Sequence, residues 1–126
     1  MNTAAQQSIS ADNLAKQSSA HGAVLERLRG MLPAASVITD AAGLRPYETD
    51  GLTAIREMPW VVVLPETEAQ VAEIVRCCAE HGVPIIPRGA GTGLSGGARA
   101  HQQEEGLGLC KMSAIMEIDT DKRIAK

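Results

Sequence analysis

The chain has 126 residues, room for one domain at most, and 44% of them are hydrophobic, so a small packed core is within reach. Twelve Lys and Arg stand against fifteen Asp and Glu, and the net charge of -3 offers no global attraction to nucleic acid or to an anionic membrane surface. Tyr47 and Trp60 are the sole members of the Phe, Tyr and Trp class, which leaves no platform for stacking bases and requires a core of aliphatic side chains and Met.

In chain order, residues 1–19 are polar and rich in Gln, Ser, Asn and Asp, and they lack an apolar signal core. They read as a disordered leader rather than a targeting peptide. A helix is expected over residues 20–31, where Val24, Leu25, Leu28 and Leu32 recur at helical spacing and Gly30 and Pro33 act as stop signals. Residues 34–57 read as mostly irregular, with turns at Pro46 and Asp50-Gly51. Residues 20–58 thus form an N-terminal helix and irregular segment, ahead of a subdomain over 59–126.

Residues 60–64, WVVVL, form a short buried-type strand ended by Pro65. This is also the longest strongly apolar run, far short of a membrane span. Thr67 is an N-cap and Gln70 completes a capping box. Val71, Ile74, Val75 and Cys78 mark the apolar face of the helix that follows, and Gly82 and Pro84 end it. Residues 83–87 then read as a second strand. Strand, helix and strand in this order suit a parallel crossover, with a ligand at the carboxyl ends of the strands.

Past a glycine stretch, residues 106–112 read as a weaker strand with Leu107 and Leu109 on one face, and 115–119 as another. Residues 120–122 form a turn into a return strand begun by 123–126. A hairpin with half a second strand leaves backbone groups unpaired, so the chain reads as an N-terminal piece of a longer protein. A frayed tail on a complete small domain is the alternative.

The glycine stretch is the costly feature. Gly89, Gly91, Gly93, Gly96 and Gly97 lie within ten residues and together cost about 2.5–5 kcal/mol in ordering relative to Ala. A structural turn needs one or two glycines, and a flexible tether is at odds with apolar Leu94 and with strands on both sides. Successive N–H groups on such a loop form an anion-binding nest. Thr92 and Ser95 add hydroxyl donors, Arg88 adds charge, and no Asp or Glu occurs from His81 to Gln103. The chemistry points to a phosphate-bearing ligand. Gly91 to Gly96 has phosphate-loop spacing, but Gly97 and Ala98 stand where the Lys and the Ser or Thr are needed. Gly91, Gly93 and Gly96 match G-x-G-x-x-G, yet no helical pattern opens from the third glycine and the strand–helix–strand unit precedes the loop. An NAD-binding Rossmann-like module therefore stays as the runner-up.

YETDGL, followed by VVVLPETEAQVAEIVRCCAEHGVPIIPRGAGTGLSGGA, resembles the FAD-binding (PCMH-type) domain of the vanillyl-alcohol oxidase and p-cresol methylhydroxylase superfamily. Within it the likeness is to the FAD-linked 2-hydroxy-acid oxidoreductases, the group of glycolate oxidase and the D-lactate and D-2-hydroxyglutarate dehydrogenases. The likeness covers about residues 40–126 and is strongest over 47–98. It implies an α+β fold, here the N-terminal subdomain in truncated form, whose glycine loop wraps the FAD pyrophosphate. Carried over by motif, the cofactor-binding residues are Arg88, Gly89, Ala90, Gly91, Thr92, Ser95, Gly96 and Gly97, with Pro65 near the adenosine half. Some relatives attach FAD through a His where this chain has Thr92, so the resemblance implies non-covalent FAD. It also implies a small-molecule 2-hydroxy acid as substrate and partner subunits that accept electrons. Catalytic residues lie in later segments of the family, so this chain on its own is expected to be inactive. A non-catalytic truncated fragment is the other reading. The family's usual strand is more apolar than GLGLCKM, where Gly108 and Lys111 intrude.

The remaining polar residues read as structural. His81 is a solvated cap at the helix end, and His21 and His101 have no partner at ligand spacing. Cys78 belongs to the core, Cys77 points elsewhere and is exposed, and Glu104-Glu105 is a solvated loop. Tyr47 and Asp50 sit in a turn with a buried ring. The odd count of Cys77, Cys78 and Cys110, with no C-x-x-C spacing, argues against zinc or iron–sulfur sites and for a reducing cytoplasm.

Overall fold

In the computed structural model, which describes residues 11–101 and 104–126, the first element is helix α1, Ala11–Met31. Residues 1–10 of the expected leader lie outside the described residues. Residues 11–19 are helical, so α1 starts earlier than the apolar stripe alone predicts. Ala15, Lys16 and Gln17 are strong helix formers and extend a helix that packing has already nucleated. That packing comes from Val24, Leu28 and Leu32, which recur every four residues and are buried.

Residues 34–57, expected to be mostly irregular, hold four short elements. A 3-10 turn spans Ala34–Ser36, strand β1 is Val37–Ile38, helix α2 is Ala41–Leu44, and a second 3-10 turn spans Arg45–Tyr47. Asp40 caps α2 by accepting from the Gly43 N–H at 2.8 Å. Pieces of two to four residues carry no readable periodicity.

Strand β2, Val61–Val63, is buried on both faces. Val61 and Val63 join the core formed by α1 and the next helix, while Val62 and Leu64 pack with Leu44 on the opposite face. Helix α3, Glu68–His81, has the capping box expected of it: the Gln70 N–H donates to Thr67 Oγ1 at 3.2 Å and the Thr67 N–H donates to Gln70 Oε1 at 3.3 Å. Gly82 closes it in the left-handed conformation, φ 65°. Its buried stripe is Ile74, Cys77 and Cys78, whereas Val75 is 45% exposed. Cys77 is therefore a core residue, contrary to expectation, because α1 lies against α3 and widens the buried face to the Cys77 side.

Strand β3 is Ile85–Arg88 and strand β4 is Glu105–Gly108. The sheet order is β1-β2-β4-β3, with β4 parallel to both neighbours and β1 antiparallel to β2. The weaker strand thus occupies the centre, between the two ends of the strand–helix–strand unit. Its glycines fit that place. A Cβ on Gly106 would stand 2.9 Å from Val62 Cγ2, and one on Gly108 would stand 2.7 Å from Leu64 Cδ2. Lys111 lies beyond the strand and donates to Ser36 Oγ at 2.8 Å and Glu66 Oε1 at 3.0 Å. Strands β5, Ile118–Asp119, and β6, Ile124–Ala125, form the expected hairpin apart from the main sheet.

Candidate functional site

The chain leaves β3 at Arg88, at the carboxyl end of three parallel strands, and runs without regular structure from 89 to 98. Two positions need glycine for conformation: Gly91 at φ 70° and Gly96 at φ 75°. At Gly89, Gly93 and Gly97 no atom stands within 4 Å of where a Cβ would be, so the main chain is bare to its surroundings. Ala90, Thr92 and Ser95 are exposed. Among the described residues, no N–H from 89 to 98 donates to a protein acceptor. A row of exposed donors with no Asp or Glu among residues 89–98 suits a polyanion.

Arg88 lies inward. Its guanidinium donates through Nη1 to Thr49 O at 2.6 Å and to Ala98 O at 3.4 Å, and through Nη2 to Pro46 O at 3.3 Å. It stands over the Tyr47 ring, 5.5 Å from the centroid. Asp50 is buried, with Oδ1 accepting from the Leu52 N–H at 2.8 Å and Oδ2 unpartnered among the described residues. Neighbouring Gly51 presses on the loop: a Cβ there would stand 2.7 Å from Thr92 O and 2.8 Å from Gly93 O. Pro65 follows β2 at the same end of the sheet, one strand away across β4, and is fully buried.

A hollow of about 770 Å³ lies elsewhere. Met58, Val83, Pro84 and Glu104 place it at the amino ends of the parallel strands. Several of its polar groups are engaged within the fold. His101 bonds Glu57 through Nδ1, His81 Nδ1 lies 2.9 Å from Cys77 O, and His21 stacks on Trp60 at 4.3 Å. Sequence reading missed the His101–Glu57 pair because 44 residues separate its members.

It also missed Glu105. Far from being a solvated loop residue, Glu105 is 0% exposed in the central strand, where Cys78 Sγ donates to its Oε2 at 2.6 Å. Burial pushes its carboxyl up from 4.5 to about 7, against the opposing effect of the thiol hydrogen bond. Burial, then the Glu105 contact, holds the Cys78 thiol above its ordinary range. One signal was available: Glu105 directly precedes Gly106-Leu107 at the start of β4.

Residues 59–126 match the family described as FAD binding domain. The chain belongs to this family. It is 39% identical over 103 residues to glycolate oxidase subunit GlcD of Escherichia coli (strain K12), covering 82% of this chain and 21% of that protein. It is 39% identical over 79 residues to D-lactate dehydrogenase of Archaeoglobus fulgidus, covering 62% of this chain and 18% of that protein. Among solved structures, p-cresol methylhydroxylase with substrate bound superposes with a TM-score of 0.70 at 26% identity, over 80% of this chain and 20% of that one. The chain thus spans about a fifth of the length of the curated relatives it matches. Family membership makes FAD the cofactor, and the exposed, unpartnered N–H groups at 89–98 fit its diphosphate. The Rossmann alternative needs a helix opening at Gly96. After Gly96 the described residues hold no helix, and the next regular element is β4.

Proposed function

We propose that this chain supplies the pyrophosphate-binding loop of an FAD-linked oxidoreductase that converts a D-2-hydroxy acid, of the glycolate or D-lactate type, to its 2-oxo acid. The observation that carries the reading is the open row of unpartnered N–H groups between Gly89 and Ala98. Hydrogen bonds to a charged acceptor contribute about 1.5–3 kcal/mol each, so two or three offset the ordering of five glycines. Gly89, Ala90, Gly91, Gly96 and Gly97 offer main-chain donors, Thr92 and Ser95 offer hydroxyls, and Pro65, buried at the end of β2, lies toward the adenosine half. The side chains of residues 88–99 are guanidinium, methyl, hydroxyl and one isobutyl group, none of them a general base. The loop therefore binds and orients; it does not move a proton. When bound, the flavin supplies the hydride acceptor for the hydroxy acid's α-carbon.

Thr92 offers no imidazole for attachment, so FAD is held non-covalently. Turnover belongs to a longer protein, whose electrons pass to partner subunits. Among the described residues no helix is long and apolar enough to cross a membrane, and all three cysteines are free. Unpaired thiols favour a cytoplasmic setting. The test is flavin absorbance in the purified chain and its release by acid denaturation, with bleaching of the bound flavin by glycolate or D-lactate read in the longer protein. Binding of NAD without flavin, or a loop that leaves FAD unbound, sinks the reading.

A further inference from the structure

The face of the loop turned away from its open donors is organised by one side chain. Arg88 starts the loop, yet its guanidinium reaches a carbonyl at the far end, Ala98, and two carbonyls of the 46–49 segment. A Cβ on Gly91 would fall directly on that guanidinium, so the chain turns over it with no intervening side chain. Gly51 meets the Thr92 and Gly93 carbonyls from the same segment. In a trans peptide the C=O and the following N–H point in opposite directions. Holding the carbonyls of 92 and 93 against Gly51 thus directs the N–H groups of Gly93 and Leu94 outward.

We propose that Arg88 is a positioning residue, the template over which residues 89–98 are wound, and that the 46–51 segment is the outer brace that turns the loop's N–H edge to the open side. Three of its five N–H donors are directed into main-chain carbonyls, so shaping the loop is the role this geometry supports. Only the consequence for a dinucleotide rests on the function proposed above; the loop's shape does not.

The test is 15N relaxation on the chain without any dinucleotide, reading order parameters over 89–98 with the α3 amides as a folding control. The native loop is expected near the rigid value of about 0.85, and Arg88→Lys is expected to fall below about 0.6 there with α3 unchanged. Lysine keeps the charge but lacks the planar fork that spans three carbonyls. Gly51→Ala, at an exposed position, retains Arg88, displaces the brace, and is expected to lower the order of 92–95; it decides the matter if Arg88→Lys does not fold. A native loop already below about 0.6, or unchanged order in the folded variants, overturns the proposal. So does loosening by Arg88→Gln but not by Arg88→Lys, which would leave charge alone as the cause. A rigid native loop that fails to quench FAD fluorescence would sink the dinucleotide reading and leave the template standing.

Discussion

The two ends of the parallel sheet treat polar groups in opposite ways. At the amino ends of β2, β3 and β4, His101 engages Glu57, His81 engages the Cys77 carbonyl, and Glu105 takes the Cys78 thiol hydrogen bond, all around or beneath a hollow of about 770 Å³. At the carboxyl ends, the loop over 89–98 turns its N–H groups to no protein acceptor among the described residues. A hollow alone would point to the end opposite the one proposed for the ligand. Water can meet exposed donors, so the open run by itself does not mark a site; the cost of ordering five glycines there is what the proposed diphosphate contact would offset.

The sharpest way to break this comparison is at Glu105, where the amino end is least settled. The folded chain keeps a proton on Glu105 up to about pH 7, while the unfolded chain releases it near 4.5. The stability it contributes is complete below pH 4.5 and is lost as pH rises through about 7, a total of about 3 kcal/mol. Urea unfolding at a series of pH values should show that fall, and Glu105→Gln should remove this part of it. A wild-type profile identical to that of Glu105→Gln would mean the carboxyl titrates normally. At the other end, Gly91→Ala adds a methyl where the Arg88 guanidinium lies, at φ 70°. Left-handed strain costs about 1–2 kcal/mol, and a lost charged hydrogen bond adds a similar amount, so FAD affinity should fall about a hundredfold in a fluorescence titration. Unchanged affinity would separate loop shape from flavin binding.

Much of this was legible in the sequence, and the division follows range. Thr67, Gln70 and Gly82 act within a few residues, and α3 has the expected cap and stop. The turn between β5 and β6 is equally local, with the Lys122 N–H donating to Asp119 Oδ1 at 2.9 Å. The glycines at 89–97 stood out because backbone freedom is a property of the residue itself. What escaped notice is non-local. Glu105 beside Glu104 looks like a solvated pair until β4 is known to lie between β2 and β3, which directs that side chain at Cys78, 27 residues away. The exchange of Val75 for Cys77 on the buried stripe depends on where α1 lies, which no window of α3 contains. Likewise, the carbonyl partners of Arg88 at Pro46 and Thr49 are 42 and 39 residues distant and could not be read beside it.

Two smaller effects sharpen the contrast. Thr92→Val and Ser95→Ala each remove an exposed hydroxyl donor, worth about 0.5–1.5 kcal/mol if it meets the ligand, so each should weaken FAD roughly two- to tenfold without moving the unfolding midpoint. The last test belongs to the amino end. His101 and Glu57 are 53% and 32% exposed, and a pair so accessible to water and salt contributes only about 0.2–1 kcal/mol. His101→Gln should cost no more than that in urea and leave FAD affinity where it was, because the length of the sheet separates the pair from the glycine loop. A tenfold change in flavin affinity from that substitution would show that the crevice at the amino end is coupled to the loop. The contrast between a self-satisfied end and a receptive one would then be wrong in its premise, since the polar groups of the crevice would be serving the ligand as well.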